Sequence, residues 1–291
     1  MPASSASSVV PDAADDGARI VGVARVDDRT RDLTIDSPAV GTQRVRLIVP
    51  RGFEADTSRR WPVLYLLHGA SDSYISWTRS TDVAALTAST NLLVVMPEAG
   101  DHGYYSDWWN GGTGGPPMWE TFHIVELRQL LERNWRAGDK RVVAGLSMGG
   151  MGAMTYAARH PGMFLAAASF SGVVDTPLGG VRDRAMWGDP RAQQDIWRDH
   201  NPTDLAPKLR GLPLYVSYGD GSPGPLEPAI GIDALEQRIA RENEHFLAAL
   251  RDAGIAVTVD AYGAGTHSWP YWERALHRSM PLLLEALGEQ S

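Results

Sequence analysis

Hydrophobic and polar residues follow two different patterns along this chain. From residue 19 to residue 50 they alternate, which is typical of antiparallel or edge strands with one exposed face. Five continuous apolar runs come later, and such runs are typical of parallel strands that are buried on both faces. These runs cover residues 62–69, 91–97, 141–147, 212–220 and 255–262.

Helical patterns lie between these runs, with apolar residues at steps of three and four. The predicted helices cover residues 118–135, 148–159, 233–254 and 272–287. Strands that alternate with helices predict an α/β fold, in which a mostly parallel central sheet carries helices on both faces. No repeat or linker divides the chain, so residues 19–291 are predicted to form a single domain. Residues 1–18 are rich in Ser, Ala and Asp and are predicted to be a flexible leader.

Composition argues against several classes of function. Of the 291 residues, 43% are hydrophobic and 21% are charged, which is the balance of a soluble globular protein. The net charge of −8 and the lack of a basic cluster argue against nucleic acid as a partner. No apolar run approaches the ~20 residues of a membrane span. Because the chain has no cysteine and its eight histidines are scattered, we predict no disulfide, no metal site and no cofactor.

One short stretch combines an apolar run, a serine and closely spaced glycines. In RVVAGLSMGGMGAM, which starts at residue 141, Ser147 lies between Gly145 and Gly149. The strand pattern ends at this serine and a helical pattern follows it, which is the setting of a nucleophile elbow. The sharp turn favours glycine two residues to either side, because side chains there would meet the neighbouring strand and helix. Ser147 is therefore the predicted nucleophile, and a glycine-rich turn without chemistry is the alternative.

A serine hydroxyl needs a base, and His267 is the predicted one. It lies in a Gly/Thr/Ser turn after the last apolar run, in the chain order Ser, acid, His of α/β-hydrolases. The alternative is a surface histidine without a role. The backbone N–H groups of Met148, directly after the serine, and of Ala70, in the early HGAS turn, are the predicted oxyanion-hole donors. His68 in that turn is predicted to shape the oxyanion loop.

Seven motifs follow one another in the order of a known family. They are LLHGASDSYISW, VVMPEAGDHGYYSDWW, MWETF, GLSMGGMGAM, AMWGDP, VSYGDGSPGPL and DAYGAGTHSWPYW. Over residues 44–280 the chain resembles the secreted, antigen 85-like mycolyltransferases within the esterase D branch of the α/β-hydrolases. The resemblance implies the α/β-hydrolase fold, and it implies the same roles for Ser147, His267, Ala70 and Met148. It also implies a small-molecule, lipid or polymer ester as the substrate.

The acid of the triad differs between the two branches of this family. The mycolyltransferase form carries a glutamate in an E-x-F pattern on the helix after the strand that matches 212–219, and Glu244 begins such a pattern here. The esterase D form carries an aspartate in the preceding loop, where Asp220 is the candidate. The apolar stripe of the helix is formed by Leu235, Ile239, Phe246 and Leu250. Glu244 lies off that stripe, so we predict Glu244 as the acid, with Asp220 or Glu242 as alternatives.

Two departures from the mycolyltransferases count against a sugar mycolate as the substrate. Only Gly263 and Ala264 separate DAY from GTHSW, where those enzymes carry a long insertion. The pair Gly149-Gly150 stands where they carry Ser or Ala. The predicted function is therefore a serine carboxylesterase. Acyl transfer to a sugar or another alcohol is the first alternative, and an inactive homologue that only binds is the second.

The surroundings of the site and the location of the protein are predicted less directly. Trp269, two residues after the base, is predicted to line the substrate cleft, and Trp77, Trp108 and Trp109 are further candidates. The resemblance implies secretion, with a signal peptide outside these 291 residues, because the first residues lack the charged and apolar regions of one. A cytoplasmic protein is the alternative. A monomer is the favoured oligomeric state.

Overall fold

A nine-stranded sheet forms the centre of the computed structural model, which describes residues 12–177, 183–227 and 231–289. The strands are Arg19–Arg25 (β1), Thr30–Ser37 (β2), Gly41–Ile48 (β3), Trp61–Leu67 (β4), Leu93–Pro97 (β5), Ala137–Leu146 (β6), Ala167–Phe170 (β7), Leu214–Tyr218 (β8) and Thr258–Ala261 (β9). Their order across the sheet is β1-β2-β3-β5-β4-β6-β7-β8-β9. Strands β1 to β3 are antiparallel, β3 runs antiparallel to β5, and the strands from β5 to β9 are parallel. The predicted mostly parallel sheet with antiparallel N-terminal strands is confirmed.

Helices cover both faces of this sheet. They are Ser76–Ser80 (α1), Val83–Leu86 (α2), Trp119–Thr121 (α3), Arg128–Asn134 (α4), Met148–Arg159 (α5), Arg184–Trp187 (α6), Gln194–Asp199 (α7), Pro202–Leu205 (α8), Ala234–Asp252 (α9) and Trp269–Leu287 (α10). A π-helix, Phe122–Leu127, joins α3 to α4, so the predicted helix 118–135 is continuous. Short 3-10 helices occur at Asn110–Gly112 and Ala206–Leu209. Helix α10 begins three residues earlier than predicted because Pro270 in its first turn favours a helix start.

Two apolar cores lie on the two faces of the sheet. Successive side chains of a strand point to opposite faces, so β4 contributes Tyr65 to one core and Leu66 to the other. The first core packs against the segment from α3 to α4, α5 and α9, and the second packs against α1, α2 and α10. This double burial explains the continuous apolar runs of the central strands. Strand β9 differs, because it is the last strand of the sheet and is largely exposed.

Three local predictions differ from the structure. Burial of the last apolar run is wrong, since β9 has a neighbour on one side only. Strand β7 is absent from the prediction because its sequence, AASF, is short and rich in alanine, which has a low strand propensity. Residues 12–18 of the predicted leader pack onto α4, where Arg133 pairs with Asp15 at 2.5 Å and Ala14 and Ala18 are buried. Residues 1–11 of that leader lie outside the described residues.

Candidate active site

Ser147 lies at a sharp turn between β6 and α5, at the carboxyl edge of the sheet. Its backbone has a φ of 51° and a ψ of −119°, in the left-handed half of the map that non-glycine residues rarely adopt. A Cβ on Gly145 would lie 2.2 Å from the Gly149 carbonyl oxygen, and a Cβ on Gly149 would lie 2.3 Å from the carbonyl oxygen of Leu67. Only glycine fits both positions, so the close approach of strand and helix that forms the turn depends on them.

His267 lies in the turn between β9 and α10 and faces this serine. Its Nε2 is 2.9 Å from Ser147 Oγ, a normal hydrogen-bond distance. The imidazole ring packs edge to face on Trp272, with 4.9 Å between the ring centroids. The backbone N–H of His267 donates to Asp233 Oδ2 at 2.8 Å. The ring is therefore held from several sides, and 9% of the side chain is exposed.

Glu236, in the first turn of α9, completes a chain of hydrogen bonds with these two residues. Its Oε2 is 2.7 Å from His267 Nδ1, and the side chain is fully buried. Its Oε1 accepts from the Ser171 hydroxyl at 2.8 Å and from the Gly219 N–H at 2.7 Å. A carboxylate accepts and does not donate, so we assign the imidazole proton to Nδ1. Nε2 is then free to accept the proton of Ser147 Oγ.

The structure corrects the prediction of the acid. Among the described residues, the His267 imidazole contacts Glu236 and not Glu244, which lies on the exposed side of α9. Asp220 is exposed and accepts from the Ser222 N–H at 2.7 Å. Glu242 is buried on α9, with the Arg238 guanidinium 3.6 Å away. In the described structure, none of these three predicted carboxylates therefore forms a hydrogen bond with the His267 imidazole.

The burial pattern of α9 shows why the prediction differs, because it placed the acid off the apolar stripe and Glu236 lies on the buried face. Buried residues recur along it at steps of three and four: Glu236, Ile239, Asn243, Phe246 and Leu250. The predicted stripe placed Leu235 on the buried side instead, but 39% of Leu235 is exposed. A local signal for Glu236 does exist in the sequence. Asp233 caps the helix three residues before Glu236, and a D-x-x-E pattern marks the first turn of a helix.

The N–H groups of Ala70 and Met148 both lie next to Ser147. Ala70 follows Gly69, and a Cβ on that glycine would lie 3.4 Å from the Ser147 Cβ. Met148 begins α5, where the first N–H groups of a helix have no intrahelical acceptor. Within the described part of the chain, neither N–H donates a hydrogen bond to another group. Both donors are therefore available to an oxygen atom in the cleft.

His68 supports this loop from behind. Its Nδ1 is 2.7 Å from the Gly69 carbonyl oxygen, and its Nε2 is 2.9 Å from the Ala99 nitrogen. A carbonyl accepts and an N–H donates, so Nδ1 carries the proton and Nε2 accepts. The carbonyl of Gly69 and the N–H of Ala70 belong to one trans peptide and point in opposite directions. By holding the carbonyl, the buried imidazole turns the Ala70 N–H away from itself.

A cleft of about 490 Å³ opens beside Ser147 and His267. It is lined also by Gly69, Ala70, Ser71, Asp72, Leu146, Leu235, Ser268, Trp269 and Trp272. Trp269 thus lies on its wall, whereas Trp77 is fully buried behind Trp269, with ring centroids 5.4 Å apart. Trp108 and Trp109 are partly buried and do not line this cleft. A larger cavity of about 970 Å³ lies at the opposite edge of the sheet, at the amino ends of β4 and β6.

Within residues 12–177, 183–227 and 231–289, no group of His, Cys, Asp or Glu side chains is arranged to hold a metal ion. Over the same ranges, no helix has both the length and the apolar character that crossing a membrane requires.

Known proteins resemble this chain over most of its length. The family described as "Putative esterase" matches residues 37–283. Diacylglycerol acyltransferase/mycolyltransferase Ag85B of Mycobacterium intracellulare is 33% identical over 255 residues, which cover 79% of this chain and 77% of that protein. Esterase Rv1288 of Mycobacterium tuberculosis is 31% identical over 265 residues, which cover 82% of this chain and 56% of that protein.

Solved structures show the same fold. The S-formylglutathione hydrolase from Agrobacterium tumefaciens superposes with a TM-score of 0.74 at 19% identity, over 92% of this chain and 99% of that one. MPT51 of Mycobacterium tuberculosis superposes with a TM-score of 0.69 at 23% identity, over 86% of this chain and 96% of that one. With the sheet order and the extent of the family match, these likenesses lead to one conclusion. The chain belongs to the esterase family and is an antigen 85-like α/β-hydrolase.

Proposed function

We propose that this protein is a serine carboxylesterase that hydrolyses carboxylic esters through an acyl-enzyme on Ser147. The family and its relatives establish the broader point, namely an enzyme that acts on esters by hydrolysis or by acyl transfer. Our proposal goes further in two respects, namely hydrolysis in place of acyl transfer and the roles of the individual residues. The observation that carries it is the unbroken chain of hydrogen bonds from Ser147 Oγ through His267 to the buried Glu236, at 2.9 Å and 2.7 Å.

In the first half of the reaction, Ser147 Oγ attacks the carbonyl carbon of the ester. As the new C–O bond forms, the carbonyl π electrons move to the oxygen and the hydroxyl proton moves to His267 Nε2. The imidazole becomes positively charged next to Glu236, whose carboxylate stabilises that charge and holds the ring in place. The tetrahedral intermediate then expels the alcohol, which takes the proton from Nε2, and an acyl ester on Ser147 remains.

In the second half, water repeats these steps on the acyl-enzyme. His267 Nε2 takes a proton from the water as the oxygen attacks the acyl carbon, and it returns that proton to Ser147 Oγ as the acid leaves. Both tetrahedral intermediates place a negative oxygen beside the N–H groups of Ala70 and Met148. A single oxyanion-hole donor is worth about 3–4 kcal/mol of transition-state stabilisation. Their lack of partners within the described chain supports this role.

Substitution of Ser147 is the direct test. We expect Ser147→Ala to lower kcat for p-nitrophenyl acetate by at least ~10⁴-fold, because the nucleophile is removed. The matched control is Ser222→Ala, which changes a serine outside the cleft and should retain activity. A fluorophosphonate should label the unchanged protein at Ser147 and should not label the Ser147→Ala variant. Undiminished hydrolysis by Ser147→Ala would overturn the serine mechanism, and a protein that is neither active nor labelled would be a binding homologue.

Acyl transfer is the second candidate, and the likeness to Ag85B favours it. It uses the same acyl-enzyme, but an alcohol attacks in place of water. The test supplies p-nitrophenyl butyrate together with glycerol or trehalose, and it compares released p-nitrophenol with free butyric acid. Hydrolysis yields equal amounts of both. Transfer yields less acid than p-nitrophenol, with the missing acyl groups recovered as a new ester by mass spectrometry.

A further inference from the structure

One carboxylate contacts both segments that carry the proposed base and acid. Asp233 directly precedes α9, and its Oδ1 accepts from the N–H groups of Leu235 at 2.9 Å and Glu236 at 3.1 Å. Its other oxygen, Oδ2, accepts from the N–H of His267 at 2.8 Å. The first oxygen thus caps the helix that presents Glu236, and the second holds the turn that presents His267.

Backbone hydrogen bonds bring the same segments together around Gly221. The Gly221 N–H donates to the Gly265 carbonyl in the turn before His267, and its own carbonyl accepts from the Asp233 N–H at 2.8 Å. Gly221 has a φ of +79°, and a Cβ there would lie 2.4 Å from the Asp233 carbonyl oxygen. The loop after β8, the start of α9 and the turn after β9 therefore contact one another around Gly221. The side chain of Asp233 lies at this junction.

The charge state of Asp233 suits this double role. Burial raises its pKa, but the N–H groups of His267, Glu236 and Leu235 outweigh this effect and hold the pKa below its usual value. The carboxylate is therefore ionised at neutral pH and offers acceptors on both oxygens. Its charge also lies at the positive N-terminal end of α9, where a carboxylate is stabilised.

We infer that Asp233 is a positioning residue that fixes His267 relative to Glu236. This inference rests on the proposed function, because it concerns how the proposed base meets the proposed acid. The distance of 2.7 Å between Glu236 Oε2 and His267 Nδ1 joins two separate segments of the chain. Loss of the Asp233 Oδ2 contact frees one side of the His267 turn, while loss of the Oδ1 contacts frees only the end of α9. The two contacts can therefore be separated by substitution.

The test compares Asp233→Ser with Asp233→Ala in steady-state hydrolysis of p-nitrophenyl acetate and in thermal unfolding. Serine is as good a helix cap as aspartate, but its single oxygen cannot also reach the His267 N–H. We expect Asp233→Ser to keep Tm within ~2 °C of the unchanged protein while kcat falls ~10- to 100-fold. We expect Asp233→Ala to lose kcat to a similar degree and also to lower Tm by ~2–4 °C. KM should change less than ~2-fold in both, since Asp233 does not line the cleft.

Two further variants keep the test decisive. Asp233→Asn keeps a capping oxygen but turns an amide N–H toward the His267 N–H, so it should behave like Asp233→Ser and replaces it if serine prevents folding. Asp183 is the matched control, because it caps α6 through the Ala185 N–H at 2.8 Å and is not among the described residues that line the cleft. Asp183→Ala should leave kcat unchanged.

The outcomes separate this inference from the proposed function. If kcat of Asp233→Ser stays within ~3-fold of the unchanged protein, or falls only together with Tm, the positioning role is overturned. If Ser147→Ala still hydrolyses the ester, the proposed function fails instead. The proposed function and the positioning role are both supported if the activity depends on Ser147 and if Asp233→Ser lowers kcat while its Tm stays unchanged.

Discussion

His68 is buried behind the Gly69–Ala70 peptide and His267 is partly buried on the wall of the cleft, and their hydrogen-bond partners assign them different tasks. His267 has a carboxylate at Nδ1 and a hydroxyl at Nε2, so it can take and return a proton. His68 has the Gly69 carbonyl at Nδ1, and at Nε2 it has the Ala99 N–H at 2.9 Å and the Glu98 carboxylate at 3.3 Å, so neither of its nitrogens faces the Ser147 hydroxyl. The partner atoms, more than the residue type, distinguish a candidate base from a support of the oxyanion loop.

This distinction can be tested by substituting His68 with two amides. The amide nitrogen of asparagine overlaps with Nδ1 and can still donate to the Gly69 carbonyl, whereas the glutamine amide overlaps with Nε2 and meets Ala99 and Glu98 instead. If the contact to Gly69 aims the Ala70 N–H, His68→Asn should stay within ~3-fold of the unchanged kcat and His68→Gln should lose ~10- to 100-fold. Steady-state kinetics and Tm of both variants check this. An equal loss of kcat in the two would contradict the argument.

Chain order and local turn chemistry predict the two residues, Ser147 and His267, whose side chains lie 2.9 Å apart in the structure. Ser147 stands at a strand-to-helix turn between glycines, and His267 stands in the last turn before the final helix, so both signals are local. The glutamate that contacts His267 carries a weaker signal, because the D-x-x-E pattern of Asp233 and Glu236 marks a helix start and not a catalytic role. Its position depends on which side of α9 faces the turn after β9, and the prediction took a glutamate off the apolar stripe, whereas Glu236 lies on the buried face.

At the scale of secondary-structure elements, α9 shows how one face of a helix is shared between packing and chemistry. Ile239, Phe246 and Leu250 pack in the cores, and Glu236 continues the same face at the carboxyl edge of the sheet. The polar end of the face is fully buried because Ser171, Gly219 and His267 supply its hydrogen bonds. A glutamate in phase with an apolar stripe is therefore a better candidate for the acid than one outside it.

Paired substitutions on α9 test this assignment. In Glu236→Gln, the donors Ser171 and Gly219 hold the amide oxygen, so the amide N–H₂ faces His267 Nδ1 and forces the proton onto Nε2. That tautomer cannot accept from Ser147, and kcat should fall by ~10²- to 10⁴-fold. The matched control is Glu244→Gln on the exposed side, which should change kcat by less than ~2-fold. The opposite result in p-nitrophenyl acetate hydrolysis would return the acid to Glu244.

The strands show which part of the fold can be predicted from the sequence. Parallel strands covered by helices on both faces gave continuous apolar runs, and these were predicted. Strand β7 was missed, although it is just as buried, because it consists of small residues and its burial comes from its place between β6 and β8. Strand β9 was predicted as buried although it lies at the edge, because position in the sheet is a property of the whole chain.

At the scale of the whole molecule, a second buried glutamate, Glu242, limits the free energy of unfolding. Glu242 lies on α9 six residues after Glu236, and in the described structure neither of its carboxylate oxygens accepts a hydrogen bond. Arg238, at 3.6 Å, is too distant for one. Burial raises the pKa of Glu242 to about 8, and the partial compensation by Arg238 does not cancel this. The folded protein thus keeps a proton on Glu242 at neutral pH.

This raised pKa predicts how stability depends on pH. Between about pH 4.5, where the unfolded chain loses this proton, and about pH 8, where the folded protein loses it, the folded state binds more protons, so stability falls as pH rises. The total cost above pH 8 is up to ~5 kcal/mol. Glu242→Gln abolishes the titration, so its Tm relative to the unchanged protein should rise by several degrees from pH 5 to pH 8. Glu244→Gln, on the exposed side, should follow the unchanged protein throughout. A Glu242→Gln difference in Tm that stays constant with pH would show that the buried carboxyl does not titrate between those values.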